Sequence, residues 1–116
     1  MDHRFPHFLF LISHFSMDTE ILNNCITDQP RGWENFVDRF AGLIFQVIDH
    51  VYRTRFQNLS PAQREAICEV VFAAFRHDHF RLLKQYRGKS TVSGFLSVVA
   101  RRIVVRHLNN EHGEVA

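Results

Sequence analysis

The chain is poor in the residues that cross-link or punctuate a fold: its 116 residues include 2 cysteines, 3 prolines and 5 glycines. Cys25 and Cys68 share no Cys-x-x-Cys spacing, which excludes a disulfide framework and fits a reducing compartment, the cytoplasm. Long apolar runs are missing too. The longest in the leader "MDHRFPHFLFLISHFS" is Phe8 to Ile12, far short of the roughly 18 residues a membrane span needs. His7, His14 and the lack of an Ala-x-Ala site argue against a signal peptide. There is no Gly-rich phosphate loop, no nucleophile motif and no catalytic carboxylate pair, so neither an enzyme nor a cofactor is expected. His77 and His79 flank Asp78, but helix positions two apart point in different directions and no second ligand pair has zinc spacing, so no metal site is expected.

Acidic residues are scarce in one stretch of the chain. Residues 1–75 hold 6 basic and 9 acidic side chains, residues 76–108 hold 8 and 1, and residues 109–116 hold 0 and 2. A net charge of +2 therefore hides a basic segment that attracts phosphate if it is gathered on one surface, and merely solubilises if it is dispersed.

What is present reads at helical spacing throughout, with no alternating apolar and polar run, so the class is all-α, a small bundle of about four helices. Residues 1–16 read as a loosely attached extension or a misassigned start, residues 17–110 as the domain and 111–116 as a tail. A short helix from about Asp18 to Ile26 ends at "TDQPRG", where Pro30 and Gly32 act as breakers. A second runs from about Gly32 into Arg55, its stripe being Phe36, Phe40, Ile44, Val47, Ile48 and Val51, with Trp33 as a packing anchor. The third has a sharp start, since Ser60 is a cap, Pro61 suits the first helical position and Gln63 completes a capping box. Projection at about 100° per residue puts Ile67, Val70, Val71 and Ala74 on its inner side and Glu65, Cys68, Glu69 and Phe72 outside. A turn or short helix then leads through Gly88 to Ser90, read as the cap of the last helix, whose inner stripe is Val92, Phe95, Leu96, Val99 and Ile103.

Two features carry chemistry. Phe72 is an aromatic in acidic company, either tucked under the chain after Arg76 or offered to a partner. Tyr86 stands among Lys84, Arg87 and Lys89, where it is either a stacking platform for an unpaired base or a core ring with its hydroxyl at the surface.

From about Glu20 to Leu108 the order of these features resembles region 2 of bacterial RNA polymerase sigma factors of the extracytoplasmic-function type. "RGWENFVDRFAGLIFQVI" resembles that domain's first long helix, "EAICEVVFAAFR" its polymerase-binding helix and "YRGKSTVSGFLSVVARRIVVRHL" its promoter-reading part. In the last stretch Phe95-Leu96, Val99-Ala100-Arg101 and His107-Leu108 fall where the family has Trp-Leu, Ile-Ala-Arg and a basic end. The resemblance implies an RNA polymerase sigma factor-like module. It would bind the clamp helices of the polymerase's largest subunit through Glu65, Cys68, Glu69 and Phe72. It implies contact with minus-ten promoter DNA through Lys84, Tyr86, Arg87, Lys89, Ser90, Arg101, Arg102 and Arg106. Lys84 to Ser90 would form the loop that captures a flipped base, and an anti-sigma factor is a further partner of the class; a membrane is not.

The departures are specific. Cys68 replaces a glutamine, Arg102 an asparagine and Arg106 an aspartate, and Asn109-Asn110 replace a basic pair. Family members also carry a second helical domain for the minus-thirty-five element, for which the eight residues after Leu108 leave no room. These departures support an alternative, a truncated relative that engages the polymerase as a protein-interaction module without initiating transcription.

Overall fold

In the computed structural model, which describes residues 17–112, four α-helices follow one another and the described residues contain no strand. They are α1 (residues 17–26), α2 (Gly32–Thr54), α3 (Pro61–Phe80) and α4 (Val92–His112), with a 3₁₀ turn at Leu83–Gln85. The expected all-α bundle is what forms; residues 1–16 lie outside the described residues.

The long α2 is the spine because its apolar residues recur every three to four positions. Phe36, Phe40, Ile44, Ile48 and Val51 are buried as expected, while Val47 is only half-buried. The α1 helix runs antiparallel to α2, with Asn24 and Cys25 against Gly32 at one end and Asp18 paired to Arg39 at the other, Nε–Oδ1 2.8 Å and Nη2–Oδ2 3.1 Å. The chain breaks over residues 27–31 and α2 begins at Gly32, as expected, with that glycine buried.

The start of α3 is as the sequence dictates: the Ser60 hydroxyl accepts from Gln63 N and the Gln63 side chain accepts from Ser60 N. Its orientation is a correction. Ile67, Cys68, Val71, Phe72 and Phe75 are buried, whereas Val70 is exposed. The helix has rolled roughly a quarter turn from the simple projection, because turning two phenyl rings inward hides more apolar surface than Val70 and Ala74 offer. The rings join an aromatic cluster in which Phe72 meets Trp33, Phe36 and Phe75 edge to face at 5.9, 6.1 and 5.8 Å. Trp33 is the packing anchor the sequence implied, covered from outside by the Arg76 guanidinium at 4.7 Å.

After Arg76 the helical path breaks. His77 is extended and Asp78, His79 and Phe80 take left-handed values, which reverses the chain and brings Phe80 within 6.0 Å of Trp33. Fully buried Leu83 then seats the 3₁₀ turn.

The last helix is capped one residue later than expected. The Thr91 hydroxyl accepts from Gly94 N at 3.0 Å, while the Ser90 hydroxyl only donates to the Thr91 carbonyl. Val92, Leu96, Ala100, Val104 and Leu108, each four apart, form the buried ridge; Val99 joins it, and Phe95 and Ile103 flank it half-buried. The helix passes through Asn109 and Asn110 to His112, beyond the expected boundary. Its last turns are tied to α2: Arg55 donates to Asn109 Oδ1 at 3.2 Å and the Tyr52 hydroxyl to Glu111 Oε1 at 3.5 Å.

Candidate functional site

The acidic surface lies on α3. Glu65 and Glu69 are both exposed one turn apart, and among the described residues neither makes an ion pair. The neighbouring Arg64 is drawn away from them, held by Asp49 of α2 at 2.9 Å and lying over the Phe45 ring at 5.1 Å. Cys68 and Phe72 do not share that surface: they are 7% and 8% exposed and sit beneath the two carboxylates. The expected four-residue outer face thus reduces to an acid pair resting on a buried thiol and a buried ring. Burial raises the pKa of the Cys68 thiol, and the charges of Glu65 and Glu69 add to the effect. A thiol in that state is a packing group, with little nucleophilic thiolate.

The basic surface follows α4. Lys84, Arg87, Lys89 and Ser90 are exposed before it, and Arg101, Arg102 and Arg106 are exposed along it. No acidic side chain occurs from His79 to Asn110. Arg101, Arg102 and Arg106 border one shallow depression with Val105, Asn109 and Asn110, so the three arginines are gathered on a common outward face. The loop stands at the opposite end of the helix from Arg106, separated by roughly 20 Å at 1.5 Å per residue. Loop cations and arginines therefore occupy two successive stretches of the chain, before α4 and along its second half.

Of the two readings open for Tyr86, the geometry agrees with the packed ring. Its ring is half-buried against Phe95, centroids 5.2 Å apart, and its hydroxyl donates to the Ser90 carbonyl at 2.6 Å. The tyrosine closes the loop Tyr86 to Ser90 around Gly88, whose φ of +78° favours glycine. It shapes the loop that presents Arg87 and Lys89, and its hydroxyl is already engaged.

Sequence reading missed a second groove. Val70, Ala74, Leu82 and Ile103 form an apolar floor between α3 and α4, and Arg81 and Arg106 stand at its edge. Arg81 is half-committed to Asp78 at 3.7 Å. The signal was present in Val70, an apolar residue on the side of α3 that Phe72 and Phe75 turned outward.

Among the described residues no three His, Cys, Asp or Glu side chains converge as a metal site, and no helix is long and apolar enough to cross a membrane. Comparison with protein-family models, with curated proteins and with solved structures finds no match for this chain.

Proposed function

We propose that the chain is a sigma region 2-like module of transcription initiation in the cytoplasm, binding core RNA polymerase through Glu65 and Glu69 and minus-ten promoter DNA through the basic stretch from Lys84 to Arg106. The observation that carries this reading is the division of charge between two elements. An acid pair with no ion-pair partner among the described residues stands on α3, and exposed basic residues precede α4 and follow along it with no acidic side chain from His79 to Asn110; the sequence order of the two agrees with the family. The loop and Arg106 stand roughly 20 Å apart along the helix, the span of about six phosphates of one duplex strand at 3.4 Å each. Cys68 and Phe72 support the acid pair from below, and Tyr86 sets the loop, so these three act by positioning.

Burial of Cys68 and engagement of the Tyr86 hydroxyl favour a second reading, a module that occupies the polymerase without opening promoter DNA. Gel filtration of the full chain with core polymerase tests the shared step. Co-elution is expected for the wild type and is lost for Glu65→Lys/Glu69→Lys while the circular dichroism spectrum stays helical. Co-elution of the reversed variant would overturn the assigned surface. Run-off transcription separates the two readings, since only the first yields a transcript.

A further inference from the structure

Phe56 stands in the connection between α2 and α3 with its side chain 95% exposed, the highest value for any bulky apolar residue among those described. Its backbone is left-handed, with φ +55°. The position explains the backbone but not the residue. At the end of α2, Gln57 N donates to the Tyr52 carbonyl at 2.9 Å and Phe56 N to the Arg53 carbonyl at 3.1 Å. This pattern places the residue after the helix cap, Phe56, in the left-handed region, where glycine is favoured. A phenylalanine there is strained by its Cβ and, with its ring in water, contributes nothing to the core. Strain kept where glycine would fold better points to a contact outside the chain.

The surroundings indicate what kind of contact. Arg53 and Arg55 flank the ring and are exposed, and no acidic side chain occurs from His50 to Arg64. Arg55 donates to Asn109 Oδ1 at 3.2 Å, and Asn109 borders the depression that gathers Arg101, Arg102 and Arg106. The connection is thereby tied to α4 about one turn beyond Arg106. Glu111, the carboxylate at that end, faces the Tyr52 hydroxyl and His107 at 3.5 and 3.4 Å. An aromatic face between two guanidinium groups suits a nucleotide strand, since the ring stacks on a base while the arginines meet the phosphates beside it. A base inside a duplex has both faces covered, so the ring takes an unpaired one.

We propose that Phe56, with Arg53 and Arg55, is a stacking site for an unpaired base of a DNA strand that runs on from the arginines of α4. The proposal rests on the DNA reading of α4 and adds to it a point of contact outside the Lys84 to Arg106 segment.

Fluorescence anisotropy of the full chain with a labelled single-stranded oligonucleotide and with its duplex, alone and with core RNA polymerase, tests the site. Phe56→Gly and Phe56→Leu are expected to lose about tenfold in affinity for the single strand and none for the duplex, while Phe56→Tyr, which keeps the ring, binds as the wild type does. The Tm of Phe56→Gly stays at or above that of the wild type, because glycine accepts the left-handed backbone, so its lost affinity is not lost folding. Unchanged single-strand affinity in Phe56→Gly would overturn the stacking site and leave the DNA reading intact. Wild-type affinity in Phe56→Leu would overturn it too, since any apolar group would then serve, as would an equal loss on the duplex. Arg101→Ala/Arg102→Ala separates the two readings. If that variant keeps its affinity for both DNAs while Phe56→Gly loses the single strand, the reading of α4 falls and the stacking site stands on Arg53 and Arg55 alone. No binding of either DNA by the wild type, with or without polymerase, would sink both.

Discussion

Gly32→Ala tests how α1 is set on α2. A Cβ at this position would lie 2.4 Å from the Asn24 carbonyl oxygen, 2.9 Å from its carbon and 3.3 Å from Cys25 Cα. All three are backbone atoms of the last turn of α1, so no side chain can swing aside. Reaching ordinary contact at 3.4 Å requires α1 to withdraw by 1.0 Å at that end. The withdrawal loosens Leu22 and Cys25, each 1% exposed, and the turn bonds Gln29 N to Asn24 O at 2.9 Å and Gly32 N to Gln29 O at 2.8 Å. Overpacking of this kind costs about 1–3 kcal/mol, against a helix-propensity gain of at most about 1 kcal/mol for alanine over glycine. With rigid backbone at 2.4 Å the cost falls in the upper part of that range, about 2–3 kcal/mol, so the net loss is about 1–2 kcal/mol, which for a domain of this size lowers Tm by about 4–8 °C per kcal/mol. Gly42→Ala is the internal control: it sits in the middle of the same helix and its added Cβ meets nothing within 4 Å. It should stabilise by about 0.5–1 kcal/mol. Thermal denaturation followed by circular dichroism reads both, and a Gly32→Ala protein as stable as the wild type would refute the packing of α1.

Other outcomes follow from caps and buried thiols. Thr91→Ala should cost about 1 kcal/mol by urea denaturation while Ser90→Ala costs almost nothing, because only the Thr91 hydroxyl accepts from the first turn of α4; equal losses would restore Ser90 as the cap. Burial pushes the Cys25 thiol from 9.0 up to about 11, outweighing the opposing charge of Arg76. Folding therefore holds a proton that the unfolded chain releases, so stability is level below pH 9 and falls by about 2 kcal/mol between pH 9 and 11. Cys68 and Tyr52 shift in the same direction and steepen the fall. A pH titration of the urea midpoint checks this, and Cys25→Ala should flatten the slope; an unchanged slope would assign it elsewhere.

Much of the frame was legible because local rules and global packing agree in it. Ser60, Pro61 and Gln63 admit one helix start, and the α2 stripe from Phe36 to Val51 has a single apolar side, so both stand in the fold as read. The roll of α3 was not legible. Apolar residues surround that helix on most sides, and the choice between Val70 and Phe72 was made by an aromatic cluster assembled from α2 and α3 together. Thr91 over Ser90 is an error of one position between two good caps, decided by which hydroxyl reaches Gly94 N. The start of α2 at Gly32 was legible, but the reason a glycine stands there was not, because sequence alone does not show a backbone carbonyl arriving against its Cα. For the candidate site, the sequence exposed the charges and hid the supports. Glu65, Glu69 and the arginines are solvated and declare themselves by sign, whereas Cys68, Phe72 and Tyr86 owe their roles to neighbours distant in the chain or folded back upon them.

The central claim is that the acid pair and the basic stretch are two surfaces used together. The direct measurement is the affinity of the full chain for core RNA polymerase with and without a forked DNA carrying an exposed minus-ten strand, compared with Arg101→Ala/Arg102→Ala. The account predicts that DNA tightens the wild-type complex and leaves the double variant near its DNA-free affinity, since the arginines act only when DNA is present. A complex that DNA does not tighten, or tightens equally in both proteins, would contradict it.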